Sequence, residues 1–303
     1  MTHSGRTAAE ELAATFHRRR SHLFGVAYRM VGTVAEAEDA VQETWLRVQS
    51  TTAERVTNPE PWLTVVITRV CLDVLKSARV QREQYTGEWL PEPIAGTIEG
   101  ADPADRTTMD ESISLALLVV LESLSPAERT SFVLHDVFKV PYETIAEAVG
   151  RTPQACRQLA TRARAHVAQR APRFDPDVEQ HRQAVSEFAR ATSTGDFDAL
   201  VAVLDPDVVL RSDGGGRVRA SLRPVVSAPT VATFVRRVMQ LRPGTELTSA
   251  ILNNTPALVA TEGGRLFAAV GFTVAAGRII EIDLVMNPDK LAGVGSRYST
   301  EER

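Results

Sequence analysis

YETIAEAVGRTPQACRQLATRARAHVAQ, residues 142–169, is the stretch on which the reading of this 303-residue chain turns. Its first half, Tyr142 to Val149, sets Ile145, Ala146 and Val149 on one face of a short helix. Gly150 ends that helix, because glycine tolerates the left-handed conformation of a tight turn. Thr152 then supplies a cap, and Pro153 suits the first position of a second helix. There Cys156, Leu159, Ala160, Ala163 and Val167 form an inner face, while Arg157, Thr161 and Arg164 recur at i, i+4 and i+7 on the outer one. Residues 151–170 contain five arginines and no acid, whereas the preceding helix carries Glu143 and Glu147. The positive charge is aimed, as a helix entering a major groove requires. The planar guanidinium fork holds phosphate, or the O6/N7 edge of guanine, with two hydrogen bonds. The candidate DNA-contacting residues are therefore Thr152, Arg157, Gln158, Thr161, Arg162 and Arg164, with Arg157, Gln158 and Thr161 best placed to reach bases. A solvated basic helix face is the alternative.

Upstream of this segment the chain is helical. Phe16, Leu23, Phe24, Ala27, Tyr28 and Val31 line one face of a first helix, and Gly32-Thr33 interrupts the pattern. A second helix, from about 35 to 48, turns Ala37, Ala40, Val41, Thr44, Trp45 and Val48 inward. Asn58-Pro59 marks the start of a third, about 61–78, carrying Trp62, Leu63, Val66, Val70, Val74 and Leu75. Its valine and isoleucine content favours strand, but the 3–4 spacing and the length favour helix. Between Gln84 and Asp110 the periodicity disappears. Pro91, Pro93, Pro103 and several glycines mark a linker with six acids (Glu88, Glu92, Glu99, Asp102, Asp105, Asp110) and one base, Arg106. Trp89-Leu90-Pro91 is an apolar anchor inside it. Helices resume near Glu111, and Pro172 and Pro176 punctuate a second linker.

After Val178 the character changes. A helix with Ala184, Phe188 and Ala191 leads to the turn Gly195-Asp196 and a short helix with Leu200 and Val203. Apolar or alternating runs follow at 208–210, 247–252, 257–261, 266–274 and 279–285, with Gly263-Gly264 and Ala276-Gly277 as hairpin turns. Helices followed by an antiparallel sheet make an α+β domain.

The bulk properties fit a multidomain protein with real cores: 44% hydrophobic residues, 303 residues in all. The net charge of -4 does not exclude nucleic acid, since phosphate contact depends on local charge density. No run of about 18 apolar residues exists, so no membrane span and no membrane partner is expected. The polar N-terminus is not expected to act as a signal peptide. Cys71 and Cys156 lie among apolar helical positions and read as reduced, buried thiols of a cytoplasmic protein.

Phe24-Gly-Val-Ala-Tyr-Arg-Met-Val-Gly32 and Ala37-Glu-Asp-Ala-Val-Gln-Glu-Thr-Trp-Leu-Arg47 resemble region 2 of the extracytoplasmic-function sigma factors. Leu124-Ser-Pro-Ala-Glu-Arg129 and the helix-turn-helix resemble their region 4. Trp89-Leu-Pro-Glu-Pro93, Asp213-Gly-Gly-Gly-Arg-Val218 and Asn287-Pro-Asp-Lys-Leu291 resemble signature motifs of the subgroup with a SnoaL-like extension of the nuclear-transport-factor-2-like cone fold. Arg217 stands where that pattern has lysine, with the charge kept. The resemblance implies two all-α sigma domains, a region 2 helical bundle (8–83) and a region 4 helix-turn-helix (111–171). They are joined by an acidic interdomain linker (84–110) and followed by an α+β cone-shaped SnoaL-like domain (178–291) and a tail (292–303).

It also implies the partners: RNA polymerase core, through its β′ and β subunits, and promoter DNA. Glu36, Asp39, Gln42 and Glu43 would dock on the polymerase. Asp39 and Glu43 are four apart and share a helical face. A paired-carboxylate metal site is the alternative, but no histidine or third ligand is near. Thr57, Asn58, Trp62, Arg69, Lys76 and Arg79 would read and open the minus-10 element, and the helix-turn-helix residues would read the minus-35 element. The acidic linker is expected to mimic nucleic acid inside the polymerase. Trp89, Leu90, Pro91, Asp213, Gly214, Gly215, Gly216, Arg217, Asn287, Pro288, Asp289 and Lys290 are expected to form an interdomain contact through which the extension regulates initiation in cis.

No enzyme, metal or cofactor is expected. Asp207, Asp213 and Asp283 are the acids available for catalysis, but no histidine follows His181. An unknown small ligand could occupy the C-terminal cone. Two other readings stay open: a SnoaL-like enzyme with a DNA-binding appendage, and a conventional helix-turn-helix regulator.

Overall fold

The computed structural model of the chain describes residues 7–83, 85–96, 114–170 and 178–298. They fall into two compact units. The first holds the described residues up to 81 and 121–167, and the second holds 82–96, 114–120 and those from 168 on.

The first unit is all-helical. Helix α1 (Ala8–Val31) opens with a capping box, in which Thr7 accepts from the Glu10 amide and the Glu10 carboxylate accepts from the Thr7 amide. It stops at Gly32, whose φ of 87° is left-handed. Helix α2 (Val34–Ser50) is capped by Thr33. Helix α3 (Pro59–Glu83) is helical despite its β-branched residues, because Leu63, Ile67, Val70, Cys71 and Leu75 make one buried face. Leu23, Val26 and Met30 of α1 and Ala37, Ala40 and Val41 of α2 are buried as well. Helix α4 (Leu115–Glu122) has residues 115–120 in the second unit, and α5 (Pro126–Phe132), a π turn (Val133–Val137), α6 (Tyr142–Val149) and most of α7 (Pro153–Arg170) complete the first.

Arg129, 2% exposed, pairs with Glu122, and its Nε donates to the Arg29 carbonyl at 3.1 Å, which ties α5 to α1. Phe138 extends this seam. The Arg29 guanidinium lies 5.1 Å from its ring centroid, and His22 meets it edge-on at 5.0 Å.

In the second unit, α8 (Val178–Thr194) and α9 (Phe197–Val203) precede a six-stranded sheet. Its strands are β1 (Leu204–Asp213), β2 (Val225–Val226), β3 (Thr245–Leu252), β4 (Thr255–Glu262), β5 (Arg265–Ala275) and β6 (Arg278–Val285), in the order β2-β1-β6-β5-β4-β3. The expected antiparallel sheet needs one correction: β1 and β6, the first and last long strands, pair in parallel. Helix α10 (Ala228–Leu241) was not anticipated from the sequence. One sheet face, with Val208, Leu210, Leu258, Val270, Phe272 and Ile282, packs with Phe188 of α8 and Val231 of α10.

The opposite face, with Ala257, Val259, Ala269 and Val285, is covered by Leu90, Ala95, Leu291 and Val294. Gly271 makes room there for Leu115: a Cβ on that glycine would come within 2.8 Å of the leucine side chain. Two boundaries therefore shift. Residues 85–96 of the expected acidic interdomain linker belong to the C-terminal unit and pack on its sheet, and residues 292–298 of the expected tail form α11 (Ala292–Tyr298), which buries Val294 completely.

Burial lowers the His22 pKa from 6.5 to about 4, with Arg19 and Arg29 adding repulsion. Below pH 6.5 the unfolded chain takes a proton that the folded chain refuses until about pH 4, so stability falls as pH drops through that window. Urea unfolding at stepped pH should show His22→Leu losing up to about 1.4 kcal/mol per pH unit of this slope. Equal slopes for the two proteins would contradict the assignment.

Candidate functional site

The α2 face expected to meet the polymerase is presented to solvent. Asp39 and Gln42 are exposed, and Glu36 and Glu43 are partly buried. Glu36 also serves the helix start, accepting from the Thr33 hydroxyl at 2.7 Å, and Glu43 accepts from Arg47 Nε at 3.1 Å. The spacing puts Asp39, Gln42 and Glu43 together at i, i+3 and i+4. Among the described residues no group of three or more histidines, cysteines or acids is placed to hold a metal.

Thr57 and Asn58 are exposed in the loop before α3, and Trp62 is partly buried at the helix start. Lys76 is exposed and paired with Asp73 at 3.0 Å. Arg69 is exposed too, but its guanidinium donates to the Glu147 carbonyl at 2.8 Å. The minus-10 candidates therefore include one arginine engaged by the helix-turn-helix unit. The side chain of Arg79 lies outside the described residues.

The helix-turn-helix is built as its turn chemistry requires. Gly150 has φ 70°, and its amide donates to Ala146. Thr152 Oγ1 accepts from the Ala155 amide at 3.2 Å. Cys156, Leu159, Ala160 and Ala163 are buried, and Arg157, Gln158, Thr161 and Arg162 are exposed. Arg157 lies over the Tyr142 ring at 5.0 Å. Arg164 departs from the expected free basic face: it is partly buried and donates to Asp136 Oδ1 at 2.9 Å and to Thr161 Oγ1 at 3.0 Å. The hydrogen bond it donates to Asp136 holds its guanidinium above its ordinary pKa. Asp136 sits on the π turn, 28 residues away, so helical spacing alone could not reveal this partner. Arg162 is 3.4 Å from Glu128 but stays 67% exposed.

The motif residues of the second unit converge on one carboxylate. Asp213, at the end of β1, is fully buried. Its Oδ1 accepts from the Tyr85 hydroxyl at 2.5 Å and the Gly215 amide at 2.9 Å. Its Oδ2 accepts from the Leu90 amide at 3.0 Å and Lys290 Nζ at 2.7 Å. Lys290, 6% exposed, also donates to the Leu90 carbonyl at 2.5 Å and sits 4.0 Å from the Trp89 ring centroid. Asn287 Nδ2 donates to Tyr85 at 3.1 Å, and its Oδ1 accepts from the Asp289 amide within the Pro288–Lys290 turn.

Gly215 has φ 64°, and a Cβ there would lie 2.5 Å from the Asn287 side chain, so this position demands glycine on two counts. Gly214 is buried and Gly216 exposed, and at the rim Arg217 pairs with Asp289 at 3.1 Å. Burial and the Asp213 carboxylate together push the Tyr85 hydroxyl well above its usual pKa, so it stays a donor.

Tyr85 is the member of this cluster that the sequence reading missed; only its place four residues before Trp89 could have pointed to it. Leu90, Pro91, Glu92 and Pro93 are buried, and residues 94–96 pair with the end of β3 and the turn after it through Asn253 and Ile251. This corrects the nucleic-acid-mimic expectation at Glu92, whose carboxylate is inside the domain. Glu99, Asp102, Asp105 and Asp110 lie outside the described residues.

Asp283 and Asp207 are the remaining candidate catalytic acids. Asp283, 2% exposed, is 3.5 Å from Arg211, which also contacts Glu281 at 3.3 Å. His181 Nε2 is bonded to the Pro256 carbonyl at 3.1 Å, and Asp207 is exposed.

Comparison with known proteins gives the family. The Sigma-70 region 2 family matches residues 15–80, and Sigma-70 region 4 matches residues 114–167. The ECF RNA polymerase sigma factor SigJ of Mycobacterium tuberculosis is 39% identical over 291 residues, which cover 92% of each chain. The probable ECF RNA polymerase sigma factor SigI of the same species is 35% identical over 288 residues, 93% of this chain and 95% of that one. The crystal structure of M. tuberculosis SigJ superposes with a TM-score of 0.73 at 35% identity, covering 93% of this chain and 98% of that one. A match of that extent includes the α+β domain as well as the two helical regions, and this chain belongs to the extracytoplasmic-function sigma factors of RNA polymerase.

Proposed function

We propose that the chain binds RNA polymerase core through its β′ and β subunits, directs it to promoter DNA, and is regulated in cis by its C-terminal domain. The observation that carries the regulatory part is the seat of the Trp89–Pro93 segment on Asp213 and Lys290. That segment belongs to the connection between the two sigma regions. While residues 85–95 are held on the sheet, they cannot contribute length to it. Released and extended, those 11 residues would span about 36–40 Å. On this reading the Asp213–Lys290 contact controls how far the two DNA-reading regions can separate. This reading revises the interdomain-contact expectation: the three motifs meet inside the C-terminal unit and grip the connection.

The polymerase-facing role rests on exposed Asp39 and Gln42 with Glu43 beside them, and the minus-35 role on the exposed Arg157, Gln158, Thr161 and Arg162. Polymerase as partner implies a cytoplasmic setting, and no described helix is long and apolar enough to cross a membrane. A catalytic role for the extension is disfavoured by the engagement of His181, Asp213 and Asp283 in structural bonds.

Reconstitution with core polymerase tests both parts. Asp39→Lys with Glu43→Lys should lower promoter-directed transcription at least about tenfold, equivalent to about 1.4 kcal/mol of lost polymerase binding, while leaving the fold intact. Unchanged transcription would remove α2 as the docking face. Lys290→Met and truncation before Asn287 should shift transcription in the same direction relative to the intact chain, because both release the linker. Identical output from all three proteins would contradict regulation through this seat.

A further inference from the structure

A cavity of about 960 Å³ opens in the C-terminal domain between α10, residues 218–221, the β4–β5 hairpin and the start of α11. Three exposed arginines, Arg219, Arg237 and Arg265, stand at its mouth, and no ion pair is formed by any of them among the described residues. A fourth, Arg242, is satisfied by Glu262 at 2.6 Å and lies over the Phe267 ring at 4.4 Å. Glu262 is the single acid among the lining residues, so the mouth carries an unbalanced charge of about three positive units at neutral pH.

The inside of the cavity has the opposite character. Phe234, Val238, Phe267 and Met286 line both this cavity and an adjoining small recess of about 60 Å³, mostly apolar, that reaches Phe188 and Thr192 of α8. Phe234, Val238 and Phe267 are only partly buried, and Leu241 at the rim is 70% exposed. In the recess, Thr192 is 7% exposed and its hydroxyl has no hydrogen-bond partner; the Thr245 hydroxyl is in the same condition. A buried hydroxyl without a partner is unfavourable, and a ligand oxygen reaching it would relieve that cost.

We propose that this cavity binds an amphipathic organic anion, with its carboxylate at Arg219, Arg237 and Arg265, its apolar body along Phe234, Val238 and Phe267, and an oxygen at its buried end bonded to Thr192. The volume lies within the range of about 300–1,000 Å³ usual for small-molecule sites. One wall is formed by Pro288, Leu291 and Ala292, which flank the residue that reaches Asp213. The occupant therefore touches the segment that presents Lys290. Binding itself does not depend on the regulatory reading above.

Calorimetric titration of the full chain with dodecanoate, 12-hydroxydodecanoate and dodecyltrimethylammonium, each below its micelle concentration, tests the assignment. The two anions should bind and the cation of equal chain length should not. Combined Arg219→Gln, Arg237→Gln and Arg265→Gln changes, all at exposed positions, should weaken dodecanoate at least about tenfold, or about 1.4 kcal/mol. The hydroxylated acid should bind more tightly than dodecanoate, and Thr192→Val should abolish that difference. Absence of anion binding, equal binding of the cation, or undiminished binding by the triple variant would overturn the site. An advantage of the hydroxylated acid that survives Thr192→Val would overturn the orientation.

Discussion

The carboxylate of Asp213 is the constraint around which the C-terminal half of the chain is arranged. An ionised carboxyl taken wholly out of water costs several kcal/mol unless its oxygens are satisfied and a counter-charge is near. Here four donors satisfy it, and they come from Tyr85, Leu90, Gly215 and Lys290, in three segments spread over more than 200 residues. No one of these segments can leave without exposing the cost of the others. Removing Lys290 alone leaves a buried charge uncompensated, a change that typically costs about 3–5 kcal/mol. Removing the linker strips one backbone and one side-chain donor at once. The contact is therefore close to all-or-none, which is the property a regulatory latch needs.

The proposed regulation of transcription follows from where this latch holds the chain. The connection between region 2 and region 4 is held by the C-terminal domain at both described ends: residues 85–96 on the Asp213 side of the sheet, and Leu115 in the space left by Gly271. A sigma factor positions two DNA-reading elements on one polymerase, so the free length between them matters. On the proposed reading, the extension acts on that length. The cavity whose wall includes Pro288 and Leu291 lies next to the same latch.

Much of this was legible in the sequence, where local chemistry decides. Gly150, Thr152 and Pro153 define the helix-turn-helix by turn and cap preferences that need no tertiary context. The spacing of Leu63, Val66 and Val70 correctly overrode the strand propensity of α3. The motifs around Trp89, Asp213 and Asn287 were recognisable as contact-forming, although not their common target. What escaped depends on distance in sequence. The parallel pairing of β1 with β6 joins strands some 70 residues apart. Arg164 finds Asp136 only after the π turn folds back. Glu92 sits in a stretch that composition marks as solvent-exposed linker, and only the apolar face of the sheet explains why it is buried. Helix α10, rich in valine and threonine, gave no clear signal against strand.

Hydrogen–deuterium exchange of the peptide covering residues 86–95, compared between the intact chain and Asp213→Asn, tests the central claim most directly. With the latch as described, the Leu90 amide is bonded to a buried carboxylate, so the peptide exchanges slowly in the intact chain and becomes fast in the variant. The β4–β5 hairpin should stay protected in both, which separates release of the linker from loss of the fold. Equal, rapid exchange of residues 86–95 in the two proteins would show that the linker is not seated and that Asp213 holds nothing in place.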